Sequence, residues 1–334
     1  MIGGVGRRGF MALLAGAGAS SAWAAWAQPS AQLRRVAVLF PFDAQDPEAR
    51  NRVRGFRLGL RDLDWIEGRN VTVEFRFAGG ARESIERNAA ELVAWKPEVI
   101  VTFSTPAVLA MRQATKSIPI VFASVADALG QGIVQSLAHP GGNITGFSFI
   151  DPEMVGKWIN LLGDAKPDLA RVALMFNPET APFFVPYVQA YKMSQQPTSV
   201  PIEAAPVHGI GDIDAAIAVL AAQPGSGLVV GSDIFLVNAR ATVMESAEKH
   251  RVPIICAYRQ WVLEGALMSY GPDTSDIARR ASGYVDRILK GESPGNLPVQ
   301  SPFRFELVLN LKTARALGLT IRDSFSELAD EVIE

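Results

Sequence analysis

The sequence predicts an α/β protein of two lobes, each a doubly wound parallel sheet, joined by three crossovers, and three observations carry the prediction. The first is a near-symmetric pair of segments, residues 117–124 and 251–258, each an apolar run entered through an X-Pro step. Unbroken apolar runs of this length suit strands covered on both faces, as in a parallel sheet. The second is a steady alternation of strand and helix signals from Val36 to Ala257. The third is size: 334 residues, 49% of them hydrophobic, suit two cores better than one.

Residues 36–40 read as a first strand, and Val53, Phe56, Leu60 and Leu63 then fall on one helical face. Residues 71–77 alternate as a half-buried or edge strand, after which Ile85, Ala89 and Leu92 mark a second helix. Residues 99–103 and 118–123 are the third and fourth strands. Right-handed crossovers assemble such repeated units into one sheet.

Pro140, Gly141, Gly142 and Asn143 punctuate the end of this block, and residues 147–149 lead to a helix with Met154, Trp158 and Leu161 on one stripe. A first crossover is expected there. The second block repeats the pattern: strand 172–176, a Pro-rich helix around 182–194, a strand near Ile202, a helix with Ile213, Ile217 and Leu220, and strand 228–231. A helix with Val237, Ala241 and Met244 and strand 254–257 complete it. Residues 266–271 read as a return strand or second crossover, and the helix of Ile277, Ala281, Tyr284 and Ile288 is expected to pack back on the first lobe. The Pro-rich stretch 293–302 is the third crossover, followed by an extended run to Asn310 and a short helix ending near Leu317. Lobe 1 is thus expected over residues 34–147 with about 271–298, and lobe 2 over 148–270 with about 299–334.

Residues 1–27 stand apart as an export signal. Arg7 and Arg8 precede an apolar stretch from Phe10 to Trp26, closed by the small-residue site Ala25-Trp26-Ala27. The arginine pair resembles a twin-arginine address, and an ordinary secretory signal is the alternative. The stretch is short for a membrane span and interrupted by Gly and Ser, and no Cys follows it to accept a lipid. The expected product is soluble and periplasmic.

Without that segment the chain holds 30 basic and 34 acidic residues, a net charge of −4, which excludes a concentrated basic field for nucleic acid. Cys256 lies in an apolar run and reads as a small buried hydrophobe; as the sole cysteine it can form no intrachain disulfide. His139, His208 and His250 lack metal-ligand spacing, and no nucleophile elbow, phosphate loop or dinucleotide fingerprint is present, so no metal, cofactor or catalysis is expected.

Four pieces, residues 67–71 (Glu-Gly-Arg-Asn-Val), 139–146 (His-Pro-Gly-Gly-Asn-Ile-Thr-Gly), 265–271 (Gly-Ala-Leu-Met-Ser-Tyr-Gly) and 305–314 (Phe-Glu-Leu-Val-Leu-Asn-Leu-Lys-Thr-Ala), resemble the ABC-transporter substrate-binding proteins related to tryptophan- and phenylalanine-binding lipoproteins. The likeness spans residues 34–320. It implies a type I periplasmic-binding fold that closes on a small ligand and presents it to an inner-membrane permease. The chain departs from the lipoprotein members in lacking the lipid-acceptor Cys, and members of the family differ in ligand.

Ligands of open α/β sheets bind at carboxyl ends of strands, where several candidates lie. Ser104, Thr105 and Pro106 end a strand and open a helix, with Thr105 as its N-cap; the free N–H groups there would hold a carboxylate, or Thr105 would merely cap. Asp127 and Asp233 follow strands of opposite lobes and would hold an ammonium, or cap the next helix. The resemblance implies that this edge faces the ligand, which favours Asp233 and, less strongly, Asp127. Tyr258, at the strand end that mirrors Ser124, and Tyr270, at a recrossing, could sandwich an aromatic ligand, with hinge packing favoured for Tyr270. Phe42 with Asp43 and Asn177 with Pro178 are strand-end residues that either bind or shape turns, and Arg259 pairs with a ligand or a nearby acid.

The reading favoured is a monomeric periplasmic receptor for an amino acid or related carboxylate, closing by hinge motion. Its rivals are an exported sensing module for a membrane sensor and an exported hydrolase on the same fold class, the latter without visible apparatus. An export signal occupies the place where a DNA-reading headpiece would stand.

Overall fold

The strands of this chain are mostly apolar, and the first of them shows the pattern. Strand β1 (Arg34–Phe40) is buried from Val36 onward, and Phe40 stacks on Phe103 at 4.4 Å and on Phe77 at 5.2 Å. The computed structural model describes residues 33–194 and 200–334; the export signal expected over residues 1–27 lies outside them.

After β1 come α1 (Pro47–Asp62), β2 (Val71–Phe77), α2 (Arg82–Ala94), β3 (Val99–Phe103), α3 (Thr105–Ala114), β4 (Ile120–Val125) and β5 (Ile144–Ser148). These strands form one parallel sheet in the order β2-β1-β3-β4-β5. β3 is buried throughout, whereas edge strand β2 is mostly half-buried, which explains its alternating sequence.

The chain then enters α4 (Glu153–Ala165), β6 (Arg171–Phe176), α5 (Phe184–Ser194), β7 (Ile202–Pro206), α6 (Ile210–Ala221), β8 (Ser226–Val230), α7 (Ile234–Asn238), α8 (Arg240–His250), β9 (Ile254–Cys256), α9 (Arg259–Leu263) and β10 (Met268–Pro272). After α10 (Thr274–Leu289) follow β11 (Phe305–Asn310), α11 (Leu311–Leu317), α12 (Asp323–Ser326) and β12 (Glu331–Ile333). The second sheet runs β12-β11-β10-β9-β8-β6-β7, parallel except where β10 meets β11. The architecture is therefore two α/β sheets of mostly parallel strands.

The chain passes between the sheets three times: from β5 to α4, from β10 to α10, and after Gln300 towards β11. Helix α10 returns to the first sheet, where it packs on α1. Gly55 and Gly59 permit this close approach, since a Cβ on Gly59 would lie 2.5 Å from the Arg279 carbonyl oxygen. Ser282 Oγ donates to the Phe56 carbonyl at 2.8 Å and Trp65 Nε1 to Asp286 at 2.9 Å across the same contact. Residues 299–300 then lie along β5, with the Gln300 N–H donating to the Gly146 carbonyl at 3.0 Å and the Gln300 carbonyl accepting from the Ser148 N–H at 2.9 Å.

One departure concerns the segment of Val237, Ala241 and Met244, which is two helices, α7 and α8, meeting at Ala239. Asn238 Nδ2 donates back to the Ile234 carbonyl, a local side-chain bond of the kind that competes with helix propagation. The short elements α9, α12 and β12 carry too few residues for a periodic signal. Among the described residues no helix is long and apolar enough to cross a membrane.

Candidate functional site

The carboxyl ends of β1, β3 and β4 in one sheet and of β6, β8 and β9 in the other converge on one cavity. Its lining includes Phe42, Ser104, Thr105, Ser124 and Tyr258 of the residues expected from the sequence, together with Phe149, Phe183, Thr180, Ser232 and Ile234. The cavity is narrow, about 20 Å³, roughly the room of one water. An outer groove of about 230 Å³ shares Thr105, Pro106 and Thr180 with it. Phe149 and Tyr258 stack at 5.4 Å on one side of the cavity.

Its polar edge is unusual in two respects. The hydroxyls of Ser104, Ser124 and Ser232 are buried and have no hydrogen-bond partner in the protein. Leaving such a group unsatisfied costs about 1–3 kcal/mol, so three at one place mark a site built for something other than stability. Ser104 and Ser124 also hold left-handed backbone, with φ of 70° and 59°, a conformation non-glycine residues avoid. The strain turns both side chains out of the strand direction towards the cavity.

Thr105 is not the N-cap of α3. It is the first helical residue, and Ser104 occupies the cap without a side-chain capping bond, because its positive φ swings the hydroxyl away. Pro106 lacks an N–H, so Thr105 and Ala107 carry the free donors of the first turn. The helix end faces the cavity uncapped, which suits an anion.

The remaining expected residues lie elsewhere. Asp233 is buried and accepts from the Asn177 N–H at 2.6 Å, the Phe235 N–H at 2.9 Å and the Thr180 hydroxyl. It caps α7 and fixes Thr180 in the cavity lining; burial pushes its carboxyl up to about 6 against the pull of those three donors. Asn177 accepts from the N–H groups of Glu179 and Thr180 and so shapes the same loop. Asp127 has φ 45° and accepts from Gly130 N–H at 2.8 Å, closing a turn beside the cavity. Tyr270 stacks on Phe305 at 5.6 Å, between β10 and β11, as hinge packing. Asp43 bonds Gln45 N–H in a turn, and Arg259 pairs with Glu331 rather than facing the cavity.

Arg52 escaped the sequence reading. It is 1% exposed, and its guanidinium carbon lies 4.5 Å from the Phe42 ring and 5.5 Å from the Tyr258 ring, between wall residues contributed by the two sheets. None of its three nitrogens has a hydrogen-bond partner, and its ion pair with Glu48 is loose at 3.6 Å. The signal was present: Arg52 stands four residues before Phe56, on the apolar stripe of α1, where a basic residue is out of place.

The geometry is that of a binding cleft. A model of the family described as ABC transporter substrate binding protein matches residues 35–333. The chain belongs to that family. Among its relatives, a tyrosine-binding protein of Clostridioides difficile (strain R20291) is 26% identical over 266 residues, covering 80% of this chain and 76% of the relative. A solved ABC domain from Streptococcus pneumonia, in complex with L-Trp, superposes with a TM-score of 0.83 at 24% identity, over 90% of this chain and 100% of that one. A conserved domain protein from Vibrio cholerae O1 biovar eltor gives the same TM-score at 28% identity and the same coverage. The fold is thus the type I periplasmic-binding kind, and this ABC substrate-binding protein binds a ligand rather than turning one over. Its Cys256 thiol fits that role, since burial pushes it up to about 12 and leaves it unreactive.

Proposed function

We propose that this chain is the periplasmic component of an ABC uptake transporter, a monomer that captures a small aromatic carboxylate, an amino acid or a relative of one, and delivers it to an inner-membrane permease. Residues 1–27 direct export. Residues 34–147 with about 271–298 and residues 148–270 with about 299–334 are the two lobes, the limits following the sheets so that β10 stays with the second and residues 299–300 with the first, and they open and close about the three crossovers.

The observation that carries the reading is the cavity itself: aromatic walls at Phe42, Phe149, Phe183 and Tyr258, and one polar edge of unpartnered serine hydroxyls beside an uncapped helix. Ser104, Ser124 and the Thr105 N–H hold the carboxylate, while the walls of Phe42, Phe149, Phe183 and Tyr258 enclose the ring. Asp233 and Asn177 contribute by setting Thr180, Asp127 by shaping the loop that follows Ser124, and Tyr270 by packing the hinge. The relatives named for tyrosine and solved with L-Trp point to the same ligand class. A cavity of this size admits such a ligand only when the lobes part.

The test is thermal stabilisation of residues 28–334, unfolded and refolded to strip carried-over ligand, against amino acids and small aromatic acids. A ligand at a hundred times its Kd adds about 2.7 kcal/mol. A selective rise in Tm for aromatic carboxylates is expected. No response to any of them would contradict the reading.

A further inference from the structure

Resting on that binding role, we infer that the ligand is an aromatic acid without an amino group, an anion such as an arylpropionate, rather than a zwitterionic amino acid. Asp127 and Asp233 lie in the loops beside the cavity, but neither is among the residues that line it. The residues that line it carry no acid and no base. Behind its aromatic wall stands the Arg52 guanidinium, against the rings of Phe42 and Tyr258. Glu48, its loose partner at 3.6 Å, accepts from Thr274 Oγ1 at 3.0 Å instead, which leaves the guanidinium without a hydrogen-bonded counterion. The uncapped start of α3 and the hydroxyl donors of Ser104, Ser124 and Ser232 add to the same preference for negative charge.

An ammonium brought into this cavity finds no acid in its lining. Asp233 is fully engaged by Asn177, Thr180 and Phe235, and Asp127 is engaged by Gly130. Two acids, Glu86 and Glu179, line the outer groove, and Glu86 is paired with Arg82 at 2.9 Å. Burying a cation without a partner is costly, whereas burying a carboxylate against these donors is compensated.

Calorimetric titration of residues 28–334 with matched pairs decides the matter: L-phenylalanine against 3-phenylpropionate, L-tyrosine against 3-(4-hydroxyphenyl)propionate, and L-tryptophan against indole-3-propionate. The deaminated member of the best-bound pair is expected to bind about tenfold tighter or more. An amino acid that binds as tightly as its deaminated partner, or tighter, overturns the inference and leaves the transport role standing. Failure of every member of all three pairs to bind overturns both.

Discussion

Arg240 Nη1 lies 3.1 Å from Asp46 Oδ2 and ties the start of α8 to the N-cap of α1, one sheet's helices to the other's. Both side chains are largely buried, and Glu264 holds Arg240 from its own side at 2.6 Å. The guanidinium is thus a fixed arm that reaches the opposite sheet only when the two are together.

Arg240→Gln should therefore favour the open arrangement. Partly buried pairs of this kind contribute about 1–2 kcal/mol, so ligand affinity should fall roughly five- to thirtyfold. Small-angle scattering of the liganded variant should show a larger radius of gyration than wild type. Unchanged affinity and unchanged scattering would rule out a latch.

Ser124→Ala removes a hydroxyl that nothing in the protein bonds. Its folding stability should stay the same or rise slightly, because a buried unsatisfied group is lost. Ligand affinity should drop by about 1–3 kcal/mol. A variant that loses stability and keeps its affinity would mean the hydroxyl serves the fold instead.

Gly59→Val tests the seam between α1 and α10, where an added Cβ meets the Arg279 carbonyl oxygen at 2.5 Å and Ser282 Oγ at 2.7 Å. Neither a backbone oxygen nor a packed serine can move far. Overpacking of this sort costs about 1–3 kcal/mol or more, so Tm should fall by several degrees. A variant that melts with wild type would show that the helices slide apart cheaply.

Asp233 gives the chain a signed pH dependence. Its carboxyl is raised to about 6 by burial, so between about pH 4 and 6 the folded state holds a proton that the unfolded state releases. A raised acid stabilises the fold most at low pH, and that contribution declines as pH rises through 6. Denaturant unfolding of wild type and Asp233→Asn, compared pH by pH, should show the wild type losing stability relative to the variant over this window, by on the order of 2–3 kcal/mol. A constant difference would refute the shift.

Much of this was legible before any coordinates. β3 and β4 are unbroken apolar runs because both faces are covered, and the strand-end rule then led to Phe42, Ser104, Thr105, Ser124 and Tyr258, all in the cavity lining. The second lobe was harder. Asp233 was read where Ser232 lines the cavity, one residue away, because a side chain that caps a helix turns inward and its neighbour does not. Phe149 and Phe183 sit in connections whose direction no periodicity encodes. Arg52 was hidden by its chemistry: an arginine reads as surface until the rings that cover it are brought from two sheets.

The central claim, that one cavity between the sheets holds an aromatic carboxylate, is tested most directly by a crystal structure of residues 28–334 with 3-phenylpropionate. The account predicts the carboxylate within hydrogen-bond distance of Ser104 or Ser124 Oγ and the ring enclosed by Phe42, Phe149, Phe183 and Tyr258. A ligand seated in the outer groove, with those hydroxyls still unpartnered, would contradict it.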